Sequence, residues 1–451
     1  MHDLPGAEGL NVTFNQFSGY IDVSSTKKLH YWFYEAETDK QDAPLTFWTN
    51  GGPGCSGLLG AMTEQGPFRP NKDLNLELNP YAWNKVSNMV FIEAPCCVGF
   101  SYSTDPENDC KTGDDQTAND NYLLIQGFLT RFPEYAKSDL YISSESYGGH
   151  YMPTLAKQIV DQNTAGKYPN LNFKGFAVGN PYTNFYTGTP SGITTYWGHQ
   201  LVAQPTYSKW EKNCIGKSNA KENMELCESL MTAMFKQVSR LVNPYALDYP
   251  VCTEDSAAAR GRAQRRFMMS FLLAENSDEV RAAVGLDQPH EQMTSSGYEP
   301  CEDDYTTSYL NRADVKEALH VKGDIDWEEC SYKLKYSTRD SSSDMTSYYN
   351  YLIDGDFGLN ILVYSGDDDS VCSTEGTQSW IWDLGYNPVS RGNTWDTYVV
   401  DGQLGGYYTL FEGNLGFLTV HKAGHEVPTY QPKVALDLFT KYLSGEWFNP
   451  Q

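Results

Sequence analysis

The sequence predicts an α/β chain: a central, mostly parallel sheet flanked by helices, with a helical cap insertion. Short, near-continuous apolar runs alternate with segments of helical spacing, and such runs suit strands buried on both faces. From about Asn180 to Asp304 the character changes, and the text becomes helical, polar and cysteine-bearing. With 451 residues, 40% hydrophobic and 14% aromatic, the chain has material for a large core, which excludes global disorder.

In chain order, FSGYIDV (17–23), LHYWFYEA (29–36) and PLTFWTN (44–50) read as strands, the last running into GGPGCSG (51–57). NMVFIEAP (88–95) is the next apolar run. Asp114 and Asp115 then open a helix over 114–132, with acids in its first turn and apolar residues at helical spacing. DLYIS (139–143) and FKGFAVGN (173–180) follow, and much later NILVYSGD (360–367) and LGFLTVHKAGH (415–425). Residues 1–179 and 305–451 are accordingly the two parts of one core, and 180–304 is a cap laid over one sheet edge. Within the cap, AAARGRAQRRF (257–267) is a basic run in an acidic chain, either a solvated face or an exposed processing site.

A formal charge of −25 argues against nucleic acid and anionic membranes as partners. No stretch approaches the apolar length of a membrane span. Ten cysteines without zinc-site spacing point to disulfides in an oxidising compartment rather than to a structural metal. The sequon Asn11-Val12-Thr13 fits the same setting as a glycosylation site. The opening MHDLPGAEG lacks the apolar core of a signal peptide and reads as a mature form without its leader.

Four stretches carry chemistry. In YISSESYGGHY (141–151) a strand leads to Ser146, with small residues two before (Ser144) and two after (Gly148), as a nucleophile elbow requires. A serine needs a base and an orienting acid. His425, in the polar loop AGHEVP, is the better base; His421 reads as a packed strand residue, and His150 lies too near Ser146 along the chain. One of Asp367, Asp368 and Asp369, after the strand ILVYSG, would orient the imidazole, although three adjacent acids also describe a bland turn. The order Ser146, Asp369, His425 is that of the α/β-hydrolase fold. Finally, NGGPG (50–54) after a strand turns the backbone sharply and frees amides for an oxyanion hole.

NGGPGCSG, VGFSYS, SESYGGHY, GDDDSVC and AGHEVP, in this order, resemble blocks of the serine carboxypeptidase family over nearly the whole chain. The resemblance implies Ser146 as nucleophile, His425 as base and Asp369 as the orienting acid. Gly52 and Tyr147 would supply the oxyanion amides. Asn50 and Glu145, with Glu64 close by, would bind the substrate's free α-carboxylate. Cys55–Cys330 matches a family disulfide; Cys214–Cys227 and Cys252–Cys301 are expected as further bridges, and Cys96, Cys97, Cys110 and Cys372 stay unassigned. Glu426, where some members carry Met, would form with Glu64 an acidic wall favouring Lys or Arg beside the scissile bond.

The resemblance implies release of C-terminal amino acids from peptides or proteins with a free C-terminus, without cofactor or metal. Glu145 facing a carboxylate demands a shared proton, so an acidic, bell-shaped pH profile is expected. A lysosomal or vacuolar, or a secreted, location is expected, and a homodimer is kept open. Three rivals stand beside this reading: a family-like acyltransferase, a lipase or esterase on the same fold, and a protective partner of other hydrolases.

Overall fold

Runs such as Leu45–Thr49 and Asn88–Ile92 have no exposed position, so they persist as strands only where both faces are covered. The computed structural model describes residues 4–215, 223–238, 241–252, 298–389 and 394–448. Its main strands are β1 (Gln16–Asp22), β2 (Lys27–Tyr34), β3 (Leu45–Thr49), β4 (Asn88–Ile92) and β5 (Leu140–Glu145). They are followed by β6 (Phe173–Gly179), β7 (Asn360–Gly366), β8 (Asp396–Val400), β9 (Gln403–Phe411) and β10 (Leu415–Val420). The spatial order is β1-β2-β4-β3-β5-β6-β7-β10-β9-β8, with the short pair Tyr102–Ser103 added beside β2.

The six central strands, β4, β3, β5, β6, β7 and β10, run parallel, and antiparallel strands close both edges. The sheet is therefore mostly parallel, as the apolar runs require. The β8–β9 hairpin at the far edge was not among the expected strands.

Alternate residues of each strand feed two cores. Phe47, Ile142 and Val178 pack on one face with Phe128 of helix α1 (Asp114–Arg131) and Leu155 of α2 (Gly148–Ala165). Trp48, Tyr141 and Ala177 face the other way, toward a cluster that includes Trp83 and Phe439, whose rings stack 3.9 Å apart. A third cluster belongs to α3 (Phe185–Gly198), α4 (Gln204–Cys214) and α5 (Met224–Gln237), centred on Trp210 and Met234. The basic run 257–267 lies outside the described residues.

Four disulfides cross-link the described residues: Cys55–Cys330, Cys97–Cys110, Cys214–Cys227 and Cys252–Cys301. Cys97–Cys110 uses two cysteines that the sequence leaves unassigned, while Cys96 and Cys372 are buried thiols. Asn11 is exposed. No described helix is long and apolar enough to cross a membrane.

Candidate active site

Parallel strands place all their C-terminal ends on one side of the sheet, where ligands of open α/β sheets bind. The turns after β3, β5, β7 and β10 converge there, bringing residues 50–54, 145–149, 367–369 and 425 together.

Ser146 follows β5 with φ +58°, a left-handed conformation that costs a non-glycine residue roughly 1–3 kcal/mol. Its amide donates to Gly179 O (3.0 Å), and its carbonyl accepts from Tyr182 N (2.7 Å) and Gly149 N (2.9 Å). Close packing makes the neighbouring glycines necessary. A Cβ on Gly148 would lie 2.2 Å from Ser144 Oγ, and one on Gly51 would lie 2.4 Å from Tyr147 N. The NGGPG loop thus rests directly on the serine turn. Neither the Gly52 nor the Tyr147 amide has an acceptor among the described residues, so both remain available to a ligand.

His425 and Ser146 line one cleft, together with Asn50, Gly52, Glu145 and Glu426. Nδ1 of His425 is 2.6 Å from Asp369 Oδ2, and its backbone amide donates to Tyr245 O. Asp369 is fully buried and also accepts from Val371 N, Cys372 N and Asn180 Nδ2. The three adjacent acids diverge toward different partners. Asp367 pairs with His421 (2.7 Å), and Asp368 with His199 (3.2 Å). Burial pushes the Asp368 carboxyl up to about 6. His421 is not a packed strand residue: β10 ends at Val420, and the imidazole is partly exposed beside Asp367.

Beside the cleft, Asn50 Nδ2 donates to Glu64 Oε1 (2.8 Å) and Glu145 Oε1 (2.9 Å), while Asn50 Oδ1 accepts from Trp48 Nε1 and Gly60 N. Burial, then the charges of Glu64 and Glu426, pushes the Glu145 carboxyl well above the usual range. Glu64 bonds Asn50 and, like Glu426, acts electrostatically on Glu145, while Glu329 lines the cleft together with Glu145 and Glu426.

Several participants escape sequence reading. Asn180 bonds both Gly366 and Asp369, joining the ends of β6 and β7. His150, rather than approaching Ser146, lies 2.9 Å from Asp114 and stacks on the Tyr147 ring, whose hydroxyl donates to the same carboxylate. Contacts alone mark Asn180 and Asp114, and the SESYGGHY block does not announce the pairing of His150 with Asp114.

The arrangement offers a hydroxyl on a tight turn, an imidazole oriented by a buried carboxylate, two free amides and a protonatable acid cluster. A family model described as serine carboxypeptidase matches residues 5–445. Serine carboxypeptidase-like 25 of Arabidopsis thaliana is 38% identical over 454 residues, covering 98% of this chain and 90% of that protein. Serine carboxypeptidase 24 of the same plant is 36% identical, covering 98% and 91%. Among solved structures, Kex1(delta)p of Saccharomyces cerevisiae, a prohormone-processing carboxypeptidase, aligns with a TM-score of 0.75 at 21% identity, covering 96% of this chain and 91% of that one. The fold is that of the α/β-hydrolases. On the match across almost its whole length, the chain belongs to the serine carboxypeptidase family.

Proposed function

We propose that the protein is an acid-active carboxypeptidase releasing single C-terminal amino acids through an acyl-enzyme on Ser146. One observation carries the reading: Asn50 and the buried Glu145 stand beside Ser146 in the same cleft, and burial raises the Glu145 carboxyl well above its ordinary range. A protonated Glu145 donates to a substrate carboxylate, oriented by the Asn50 amide that bonds its Oε1; a lipase or esterase has no use for such a site.

Ser146 Oγ attacks the last peptide carbonyl while His425 Nε2 takes its proton. The oxyanion is received by the Gly52 and Tyr147 amides. The C–N bond then breaks as His425 returns the proton to the departing amine. Water, deprotonated by His425, attacks the ester carbon; the C–O bond to Ser146 breaks, and the serine regains its proton. Side chains and water suffice for every step. Glu426 and Glu329 on the cleft wall favour a basic side chain beside the scissile bond. Peptides with a free C-terminus are the partners, and an acidic vacuolar or lysosomal compartment, or the cell exterior, is the setting.

The test is mass spectrometry of one peptide and its C-terminal amide, each incubated with the protein at acidic pH. A ladder of single-residue losses from the free acid, with the amide much slower, is the expected result. Equal cleavage would discard the carboxylate site and leave a serine hydrolase. Cleavage of neither would favour acyl transfer, the reading left open by relatives whose printed name is only carboxypeptidase-like.

A further inference from the structure

Asn50 is gripped by both ends of one turn. Residues Gly60–Glu64 form a single π-type turn, a rare geometry often found at functional sites. Its first amide, Gly60 N, donates to Asn50 Oδ1 (3.0 Å), and its last side chain, Glu64 Oε1, accepts from Asn50 Nδ2 (2.8 Å). The orientation of the Asn50 amide is therefore set by the shape of this turn. Its C-terminal carbonyls have no partner within so short a helix and need donors from elsewhere.

Arg69 supplies them. Nη1 donates to Thr63 O (2.8 Å) and Nη2 to Glu64 O (2.7 Å). The same Nη1 is 3.0 Å from both carboxylate oxygens of Glu302. Glu302 is buried and is the first residue of α6 (Glu302–Leu310), immediately after Cys301, which is bonded to Cys252. The carboxyl group is thus fixed in place by a helix start and a disulfide. Asn79 Nδ2 and Thr429 Oγ1 add one donor each to Glu64 O and Thr63 O. Among the described residues the Arg69 guanidinium joins both carbonyls to a carboxylate, a task that a lysine ammonium performs poorly.

We propose that Arg69 and Glu302 form a positioning clamp that fixes the Gly60–Glu64 turn, and through it Asn50 and Glu64, for recognition of the substrate's terminal carboxylate. The proposal rests on the carboxypeptidase reading. Neither residue touches the substrate; both act through the turn, so their loss weakens binding of the carboxylate and leaves the serine turn intact.

The experiment compares wild type, Arg69→Met and Arg69→Lys on an N-blocked dipeptide and its C-terminal amide, with the rate of Ser146 labelling by a fluorophosphonate measured alongside. For Arg69→Met, KM on the free acid rises about ten-fold, as expected for losing charge-assisted bonds that orient a binding group. Its kcat, its kcat/KM on the amide and its labelling rate stay near wild type. Arg69→Lys falls between the two.

A free-acid to amide ratio unchanged in Arg69→Met would overturn the clamp. So would an equal fall in both substrates and in labelling, which would mark a merely structural arginine. If Arg69→Met does not fold, the same ratio in Arg69→Lys decides. A wild type that does not distinguish acid from amide would instead remove the carboxypeptidase reading on which the clamp depends.

Discussion

At the scale of single residues, chemistry depends on which proton sits where. Asp369 is ringed by four donors, three of them protein N–H groups other than His425, which fix its carboxylate to accept the His425 Nδ1–H. Replacing Asp369 with Asn presents the wrong tautomer partner and is expected to lower kcat about 10⁴-fold, the loss known for the equivalent change in a Ser-His-Asp protease. Steady-state hydrolysis with circular dichroism on the same sample checks it; a loss under ten-fold would remove Asp369 from the machinery. Glu145 works the other way. Burial first, then Glu64 and Glu426, raises its pKa, so it is protonated at acidic pH and repels a substrate carboxylate only once pH climbs past that raised value. KM on a free-acid peptide is therefore expected to rise in the wild type as pH climbs through that raised value, and to stay nearly flat in Glu145→Gln. Parallel KM–pH curves for the two proteins would sink the idea.

At the scale of elements, the site is a meeting of turns that leave no room for one another. A Cβ on Gly51 would press to 2.6 Å from Glu145 O and 2.8 Å from Ser146 Cβ, so the oxyanion loop and the serine turn must move together. Gly51→Ala is expected to spoil the amide geometry and to cost about 10²–10³-fold in kcat, the loss typical of removing one oxyanion donor. A thermal transition within a few degrees of wild type would show that the sheet survives. Activity near wild type would mean that the loop is not fixed against the turn. Elements also show where sequence reading failed. The β8–β9 hairpin turns on Asp401 and Gly402, both with positive φ, and Asp-Gly between alternating strands is a strong hairpin signal. Its strands mix exposed and buried positions, unlike the continuous apolar runs that announce the central strands.

At the scale of the whole molecule, several buried carboxyls make stability depend on pH. Burial raises Glu302 to about 7 against the opposing charge of Arg69, raises Asp368 to about 6, and raises Glu145 as well. A raised carboxyl binds its proton more tightly in the folded chain than in the unfolded one. Stability is then greatest below the unfolded value, near 4, and is lost as pH rises through the folded value. Glu35, despite its burial, is held below the ordinary range by Lys40, Tyr135 and Asn15, so its contribution changes only below that window. The melting temperature is expected to be higher at pH 5 than at pH 8. For Glu302 alone the difference is on the order of 3 kcal/mol, at about 1.4 kcal/mol per unit from 4.5 to about 7. Calorimetry of Glu302→Gln should show a shallower decline over this range; the same slope as wild type would mean that Glu302 does not titrate there.

The amino-acid sequence by itself determined the parallel strands, the chain order of serine, acidic turn and histidine, and the glycines of the two turns, because each of these is a local requirement. A strand buried on both faces must be apolar throughout, and a turn against a turn must be glycine. Only the tertiary structure decided which of Asp367, Asp368 and Asp369 faces His425, that Glu64 bonds Asn50, and that Cys97 joins Cys110. Asn180, Asp114 and Arg69 entered the site the same way. Their parts come from distance and desolvation across segments tens to hundreds of residues apart, as with Arg69 and Glu302, and nothing in the neighbouring residues of either segment encodes that proximity.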